Sequence, residues 1–172
     1  MSMISARLGG SKATLYAYFN SKEDLFAAII RDRCEAMAGL FQAHIGTDDL
    51  RQSLRAVARQ LMEVILSDWA TRTFQLVIEE SRRNPELSRL FNEAIEANGK
   101  QTMLALLQTA RDKGQIKAED IGEATVILKS LLFGDVHFKR LLNIGPPSIE
   151  HIHKHIDRAI DVFMHYYGLD RA

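Results

Sequence analysis

Residues 11–26 read SKATLYAYFNSKEDLF, and this stretch decides how the early part of the chain is interpreted. Its first half, Lys12 to Phe19, has apolar residues four positions apart, which places them on one face of a short helix. Asn20 interrupts that helix. The following residues, Ser21 to Asp24, have the capping pattern in which a serine side chain accepts from a backbone N–H three residues later. The stretch therefore predicts two successive helices, the second reaching about His44.

A tight turn precedes this stretch. The segment from Ile4 to Lys12 has the pattern of a helix end, a glycine turn at Gly9-Gly10 and a helix start, as a helix-turn-helix requires. Arg7 and Lys22 are basic, and no acid occurs among the first 22 residues. These residues predict contact with DNA phosphates. A short amphipathic helix with its aromatic side chains packed inward is the alternative that the residues alone leave open.

Composition sets the class of the protein. The 172 residues are 47% hydrophobic, with 22 basic and 22 acidic side chains, which suits one core-forming domain with at most a small appendage. The neutral balance excludes a uniformly basic nucleic-acid coat. One cysteine, Cys34, excludes an internal disulfide, and we expect a reduced, cytoplasmic protein. No apolar run approaches the ~20 residues of a membrane span, and Met1 to Gly10 do not resemble a signal peptide.

Helical periodicity continues to the end of the chain, and no alternating, β-branched segment appears. The sequence therefore predicts an all-α fold. Beyond the helix that begins at Ser21, the predicted helices run from Thr47 to about Trp69, from Thr71 to Arg83, from Pro85 to Gly114 with a break or kink at Asn98-Gly99, from Ala118 to Asn143 and from Ser148 to Gly168.

The stretch at residues 11–26 is similar to the TetR family signature, T-L-Y-x-Y-F-x-S-K-E-x-L. The resemblance implies a dimeric one-component regulator with an N-terminal DNA-binding domain and a variable helical ligand-binding domain. A looser resemblance, EESRRNPEL at residues 79–87 with Phe91, is to the ligand domain of one branch of the family. The resemblance implies a recognition helix with Lys12, Ala13, Thr14, Tyr16 and Ala17, and phosphate contacts from Tyr16, Tyr18 and Lys22.

Two departures from the family pattern affect the expected DNA-binding domain. The sequence from Met1 onward begins within the family's second helix, so it has no counterpart to the first helix or to the start of the second. Gly10 stands where the family more often has valine. We therefore expect either a reading frame that continues upstream or a truncated form. The expected division is a partial helix-turn-helix domain over residues 1–33 and a helical ligand-binding and dimerisation domain over residues 34–172.

Large, adaptable side chains on the middle helices predict a cavity for an apolar ligand, with two polar side chains to orient it. Ordinary core packing is the alternative for each residue taken singly. The predicted pocket residues are Met62, Trp69, Phe74, Gln75, Phe91, Met103, Phe133 and His137.

The last two helices predict a homodimer. The helix from Ala118 is apolar on more than one face, and the helix after Ser148 repeats apolar residues at helical spacing. Two such helices pairing with their two-fold mates would form a four-helix interface, and a monomeric bundle is the alternative. The predicted interface residues are Leu128, Leu132, Ile152, Ile156, Ile160 and Phe163.

Metal and enzyme hypotheses have weaker support. His151 and His155 are four apart and could share a metal, but Lys154 would repel a cation, so an exposed polar face is favoured. We expect no metal, no cofactor and no catalytic residue. The combined prediction is a homodimeric transcriptional repressor without a membrane partner, released from operator DNA by a small apolar or amphipathic ligand. A dimeric ligand-binding module that no longer binds DNA and a small helical enzyme are the alternatives.

Overall fold

The computed structural model describes residues 17–41, 49–96, 101–145 and 147–169. Within these ranges the chain forms seven helices and no strand, which confirms the all-α prediction. The helices are α1 (Lys22–Phe41), α2 (Leu50–Ile65), α3 (Asp68–Glu80), α4 (Pro85–Ile95), α5 (Gln101–Asp112), α6 (Ile121–Leu141) and α7 (Ile149–Tyr167). No described helix is both long and apolar enough to traverse a lipid bilayer.

Side-chain caps fix most of the helix starts. The Ser21 hydroxyl accepts from the Asp24 N–H at 3.0 Å, which confirms the predicted start of α1. Asn84 caps α4 by accepting from the Leu87 N–H, and Ser148 caps α7. These starts are predictable because a capping side chain and the backbone N–H that donates to it lie within one turn of each other.

The start of α3 differs from the prediction. The sequence places Trp69 at the end of the preceding helix and a new start at Thr71, whereas α2 ends at Ile65. Ser67 then accepts from the Ala70 N–H at 3.2 Å and caps α3, so Trp69 lies in the first turn of that helix. The stretch from Pro85 to Gly114 forms two helices, α4 and α5, on either side of Asn98-Gly99, where the sequence predicts a break or kink.

Two clusters of buried side chains hold the helices together. The larger joins α2, α5, α6 and α7, and includes Leu54, Met62 and Leu107. The smaller joins α1, α3 and α4 through Ile30, Val77, Phe91 and Ala94, with Phe26 and Phe74 packed against it. Helix α6 contacts α2, α3, α5 and α7, which explains why its sequence is apolar on more than one face.

Helix α6 is kinked at Gly134. Its backbone there has φ 35° and ψ −142°, a conformation that favours glycine. The His155 ring of α7 lies against the kink, and its Nε2–H donates to the Leu132 carbonyl at 2.7 Å. A Cβ atom at position 134 would lie 3.3 Å from His155 Cε1, so any side chain there would crowd the imidazole ring. No signal for this kink stands in the sequence of the helix itself.

Five of the six predicted interface residues, all except Ile152, are buried within a single chain. Leu128 and Leu132 of α6 pack with Ile156, Ile160 and Phe163 of α7 in the larger cluster. This corrects the assignment of those five side chains, because a residue that is already covered inside its own chain offers no surface to a partner. Charge reversal at Ile156 or Leu132 is therefore expected to unfold the chain. Ile152 is half-buried and packs against the same cluster.

Candidate ligand cavity and DNA-contacting segment

The predicted DNA-contacting residues lie only partly in the described structure. Lys12, Ala13, Thr14 and Tyr16 lie outside the described residues. Ala17 and Tyr18 are helical and exposed. Lys22 is exposed in the first turn of α1, with its Nζ 3.7 Å from Glu23 Oε1. The Tyr18 side chain is 78% exposed, so its hydroxyl and the Lys22 ammonium group are accessible to a phosphate.

A cavity of about 100 Å³ lies where α1, α2, α3, α4 and α6 meet. Its described walls come from six helices, because Met103 of α5 also reaches it. The walls are largely aliphatic and aromatic. They consist of Ile30, Arg33, Leu61, Val64, Ile65, Trp69, Ala70, Thr73, Phe74, Phe91, Ile95, Met103, Lys129 and Phe133.

Five of the eight predicted pocket residues, namely Trp69, Phe74, Phe91, Met103 and Phe133, line this cavity. The Phe74 and Phe91 rings meet edge to face with centroids 5.0 Å apart, a favourable aromatic geometry. The sequence reasoning selected residues by size and by place in the middle helices. That criterion identifies a group of side chains that the structure brings together.

The other three predicted pocket residues lie elsewhere. Met62 is fully buried in the larger core cluster. The Gln75 amide donates to the Leu141 carbonyl at 2.7 Å and so joins α3 to the end of α6. This bond corrects the assignment of Gln75 as a ligand-orienting group, because its amide N–H is directed at the protein backbone.

His137 lies directly behind the cavity wall. Its ring centroid is 5.0 Å from that of Phe74 and 5.3 Å from that of Phe133. Its Nε2 is buried and has no hydrogen-bond partner. Burial lowers the pKa of this imidazole below its ordinary value, because an apolar surrounding disfavours the charged form. His137 is therefore a neutral ring at neutral pH, packed edge-on against Phe74 and tilted against Phe133.

Sequence reasoning missed the two cations of the cavity wall, Arg33 and Lys129. A signal for them is present in the helical spacing. Arg33 follows Phe26 and Ile30 on one face of α1, and Lys129 lies one turn before Phe133 on α6. A charged residue that continues an apolar stripe lies next to buried surface, so both positions could have been identified.

Polar contacts tie α1 and the cavity helices to their neighbours. Asn84 donates from Nδ2 to Glu23 Oε1 at 2.7 Å, so the cap of α4 also holds the first turn of α1. Arg140 of α6 donates to the Leu66 carbonyl at 3.0 Å and pairs with Asp68. In the described ranges, no three His, Cys, Asp or Glu side chains are grouped to hold a metal ion.

Two protein-family models match the chain, one over its first residues and one over most of the remainder. Residues 52–169 match the model of the AefR-like transcriptional repressor C-terminal domain, and residues 1–29 match that of the bacterial regulatory proteins of the tetR family. The chain belongs to the TetR family. Regulators of the TetR family are DNA-binding proteins that act on transcription, and this chain is one of them.

Solved structures of TetR-family regulators are similar to the chain. The flavonoid-responsive regulator FrrA is 31% identical, with a TM-score of 0.77 over 100% of this chain and 87% of that one. A TetR regulator from Agrobacterium tumefaciens is 23% identical, with a TM-score of 0.82 over 99% and 84% of the two chains.

A third structure, the fatty acid degradation regulator FadR from Bacillus halodurans, is 19% identical, with a TM-score of 0.74 over 95% and 86% of the two chains. At this identity, as for the Agrobacterium regulator, the likeness concerns the fold alone. No curated protein matches the chain significantly.

Proposed function

We propose that this TetR-family regulator is a repressor that leaves its operator when a small apolar or amphipathic ligand fills the cavity. The observation that carries the proposal is the position of α1. This helix begins at Lys22, next to the DNA-contacting segment, and its Ile30 and Arg33 form one wall of the cavity. One helix therefore joins the two proposed regions, DNA reading over residues 1–33 and ligand binding and dimerisation over residues 34–172, and its Ile30 and Arg33 also contribute to the cavity wall.

The size of the cavity supports a conformational mechanism. A volume of about 100 Å³ is well below the ~300–1,000 Å³ of typical ligand pockets, so a ligand that enters must displace the walls. Helix α1 rests on α4 through Phe26 and Phe91, whose ring centroids are 6.2 Å apart, and through the Glu23–Asn84 hydrogen bond. A ligand that fits a displaced arrangement better shifts the population towards it.

Such a displacement affects DNA binding through the dimer. Two reading heads engage successive major grooves when they are about 34–36 Å apart. A change in the angle of α1 in each subunit alters that separation. The flavonoid-responsive relative supports a small, largely apolar effector for this chain too.

The partner surface of the proposed homodimer is an exposed apolar stripe. On α6 it contains Val126 and Phe138, directly after α6 it contains Leu142, and on α7 it contains Val162 and Tyr166, all of which are exposed in the single chain. Exposed apolar residues at helical spacing on the last two helices suit a four-helix contact between two copies. The predicted helices are retained in this proposal, and different faces of them form the interface.

A salt titration of DNA binding tests the proposed function. Fluorescence anisotropy would follow the protein on DNA from its own upstream region at several salt concentrations. We expect Lys22→Ala to weaken binding to all sequences alike and to reduce the salt slope by about 1 per reading head, because a phosphate contact releases counterions. Arg82→Ala, which removes an exposed cation from the turn before α4, is the matched control and should leave the slope unchanged.

Release by ligand is measured on the same complex. Small apolar compounds that raise the melting temperature of the protein should lower its affinity for the operator. Binding no tighter than to unrelated DNA would reject the regulator mechanism. Operator binding that stays the same with a melting-shift ligand present would reject release by ligand.

A further inference from the structure

The charge of the cavity wall is one-sided. Among the described residues that line it, Arg33 and Lys129 are cationic and none is acidic. Within the described part of the chain, neither cation forms an ion pair. Arg55, by contrast, pairs with Asp157 at 2.8 Å. Arg33 is exposed and Lys129 is half-buried beside the apolar cavity, so both are accessible to an anion that enters it.

Arg33 is held in position by an aromatic side chain. Its guanidinium carbon lies 5.2 Å from the ring centroid of Trp69, a cation–π contact. A guanidinium group over the face of a ring keeps N–H donors for a second partner. A planar carboxylate pairs with such donors through two parallel hydrogen bonds.

The interior of the cavity suits an aromatic ring. Phe74, Phe91 and Phe133 line it, and its volume is about 100 Å³. An apolar cavity of about 150 Å³ holds benzene, so one ring fits here after a small expansion. A second fused ring would require the walls to move further.

We propose that the effector is a small aromatic anion whose ring lies among the phenylalanine side chains and whose carboxylate binds Arg33, with Lys129 adding to the positive potential. This inference rests on the proposed ligand binding and specifies its chemistry. Because Arg33 lies on α1, the carboxylate acts directly on the helix that leads to the DNA-contacting segment. Arg33 is then both the specificity-determining residue and the point at which binding moves that helix.

Matched pairs of probes test this chemistry on the full chain. Benzoate and cinnamate are compared with benzamide and cinnamamide, which have nearly the same shape but no charge. Trp69 is the sole tryptophan of the sequence and lines the cavity, so its fluorescence reports binding directly. We expect at least one carboxylate to bind about tenfold or more tightly than its amide, since hydrogen bonds between charged groups are the stronger kind.

Three variants test which side chain causes the preference for a carboxylate over its amide. Arg33→Gln should abolish the ratio between carboxylate and amide while amide binding persists, and Lys129→Gln should reduce the ratio by a smaller factor. Arg72→Gln is the control, because Arg72 is exposed one turn along α3 from Trp69 but is not in the cavity wall. The ratio of the two affinities is compared, since loss of the Arg33–Trp69 contact itself changes the fluorescence.

The outcomes separate this inference from the proposed function. A carboxylate preference that Arg33→Gln removes and Arg72→Gln keeps supports the inference. Equal affinity for acids and amides overturns it and leaves an apolar effector in place. Absence of binding by every probe, or a preference that survives in Arg33→Gln, also overturns it. The operator-release measurement decides separately whether the protein is a ligand-controlled repressor.

Discussion

His137 places a polar imidazole among aromatic side chains, and its contribution to the stability of the folded state depends on pH. The unfolded chain binds a proton at this imidazole near its ordinary pKa of 6.5. Burial lowers the pKa in the folded state, so on acidification the unfolded state takes up the proton first. The contribution of His137 to stability is therefore complete above about pH 6.5 and is lost progressively as the pH falls below that value.

Replacement of His137 by phenylalanine tests this linkage. His137→Phe keeps a planar ring between Phe74 and Phe133 but carries no titratable nitrogen, so its stability should decline less on acidification from about pH 7.5 to pH 5 than that of the unsubstituted chain. Urea denaturation followed by circular dichroism gives the free energy of unfolding at each pH. His151→Gln, at an exposed position of α7, should keep the original pH dependence. An equal decline in His137→Phe would contradict the assignment.

At the scale of elements, the kink in α6 separates a segment that lines the cavity from a segment on the proposed partner surface. Phe133, just before the kink, lines the cavity, and Phe138, just after it, is exposed on the proposed partner surface. The His155 hydrogen bond to Leu132 and the close approach of its ring to Gly134 fix the bend from α7. The direction of each half of α6 therefore depends on one glycine and one histidine.

Substitution at the kink measures how firmly it is held. Gly134→Ala should lower the free energy of unfolding by about 1–3 kcal/mol, because the positive φ is strained for alanine and the added methyl group meets His155. His155→Ala removes that clash, so the double substitution should cost less than the sum of the two single ones. Chemical denaturation measures all three. Ser130→Ala, an exposed change one turn earlier, is the control, and an additive result would show that the two residues do not interact.

The elements also show what local sequence information can predict. The starts of α1, α4 and α7 are predicted correctly because Ser21, Asn84 and Ser148 each cap within their own first turn. The start of α3 is missed, because Ser67 follows an apolar stripe that continues the pattern of α2. The kink at Gly134 is missed because its cause, His155, lies 21 positions away in the sequence.

For the cavity, residue size predicts part of the wall and says nothing about its charge. Trp69, Phe74 and Phe133 are found because large side chains on middle helices tend to meet. Arg33 is missed because a lone arginine on a helix is ordinarily solvated. Its spacing from Ile30 places it beside the apolar face of α1, but its contact with Trp69 depends on how the helices pack. The partner surface is misassigned for a related reason, since periodicity identifies an apolar face without showing which neighbour covers it.

At the scale of the whole molecule, two apolar surfaces of α6 and α7 have different uses. One surface is buried in the chain and includes Leu132 and Ile160. The other is exposed and includes Phe138, Val162 and Tyr166. A stable interface between two chains generally buries about 1,200–2,000 Å² in total, so the proposed contact has to extend along both helices and cannot rest on a single side chain.

Charge introduced on the exposed stripe should therefore separate the subunits without unfolding them. We expect Phe138→Glu to turn the homodimer into a monomer, because two-fold symmetry places the new carboxylates of both chains in one apolar contact. Sedimentation velocity at micromolar concentration measures the change, and circular dichroism checks that the helices persist. Tyr166→Glu, on α7, should have the same effect if both helices contribute to the contact.

Ile78 of α3 supplies the matched control for this prediction. It is 59% exposed and Phe138 is 60% exposed, so a glutamate at either position replaces an equally accessible apolar side chain. Ile78→Glu should remain dimeric, since α3 lies outside the proposed partner surface. A monomeric unsubstituted protein, or dimers that persist in both Phe138→Glu and Tyr166→Glu, would show that the exposed faces of α6 and α7 are not the interface. Because two reading heads must be held at a fixed distance, a folded monomer should also lose specific binding to a two-fold operator while keeping weak affinity for any DNA.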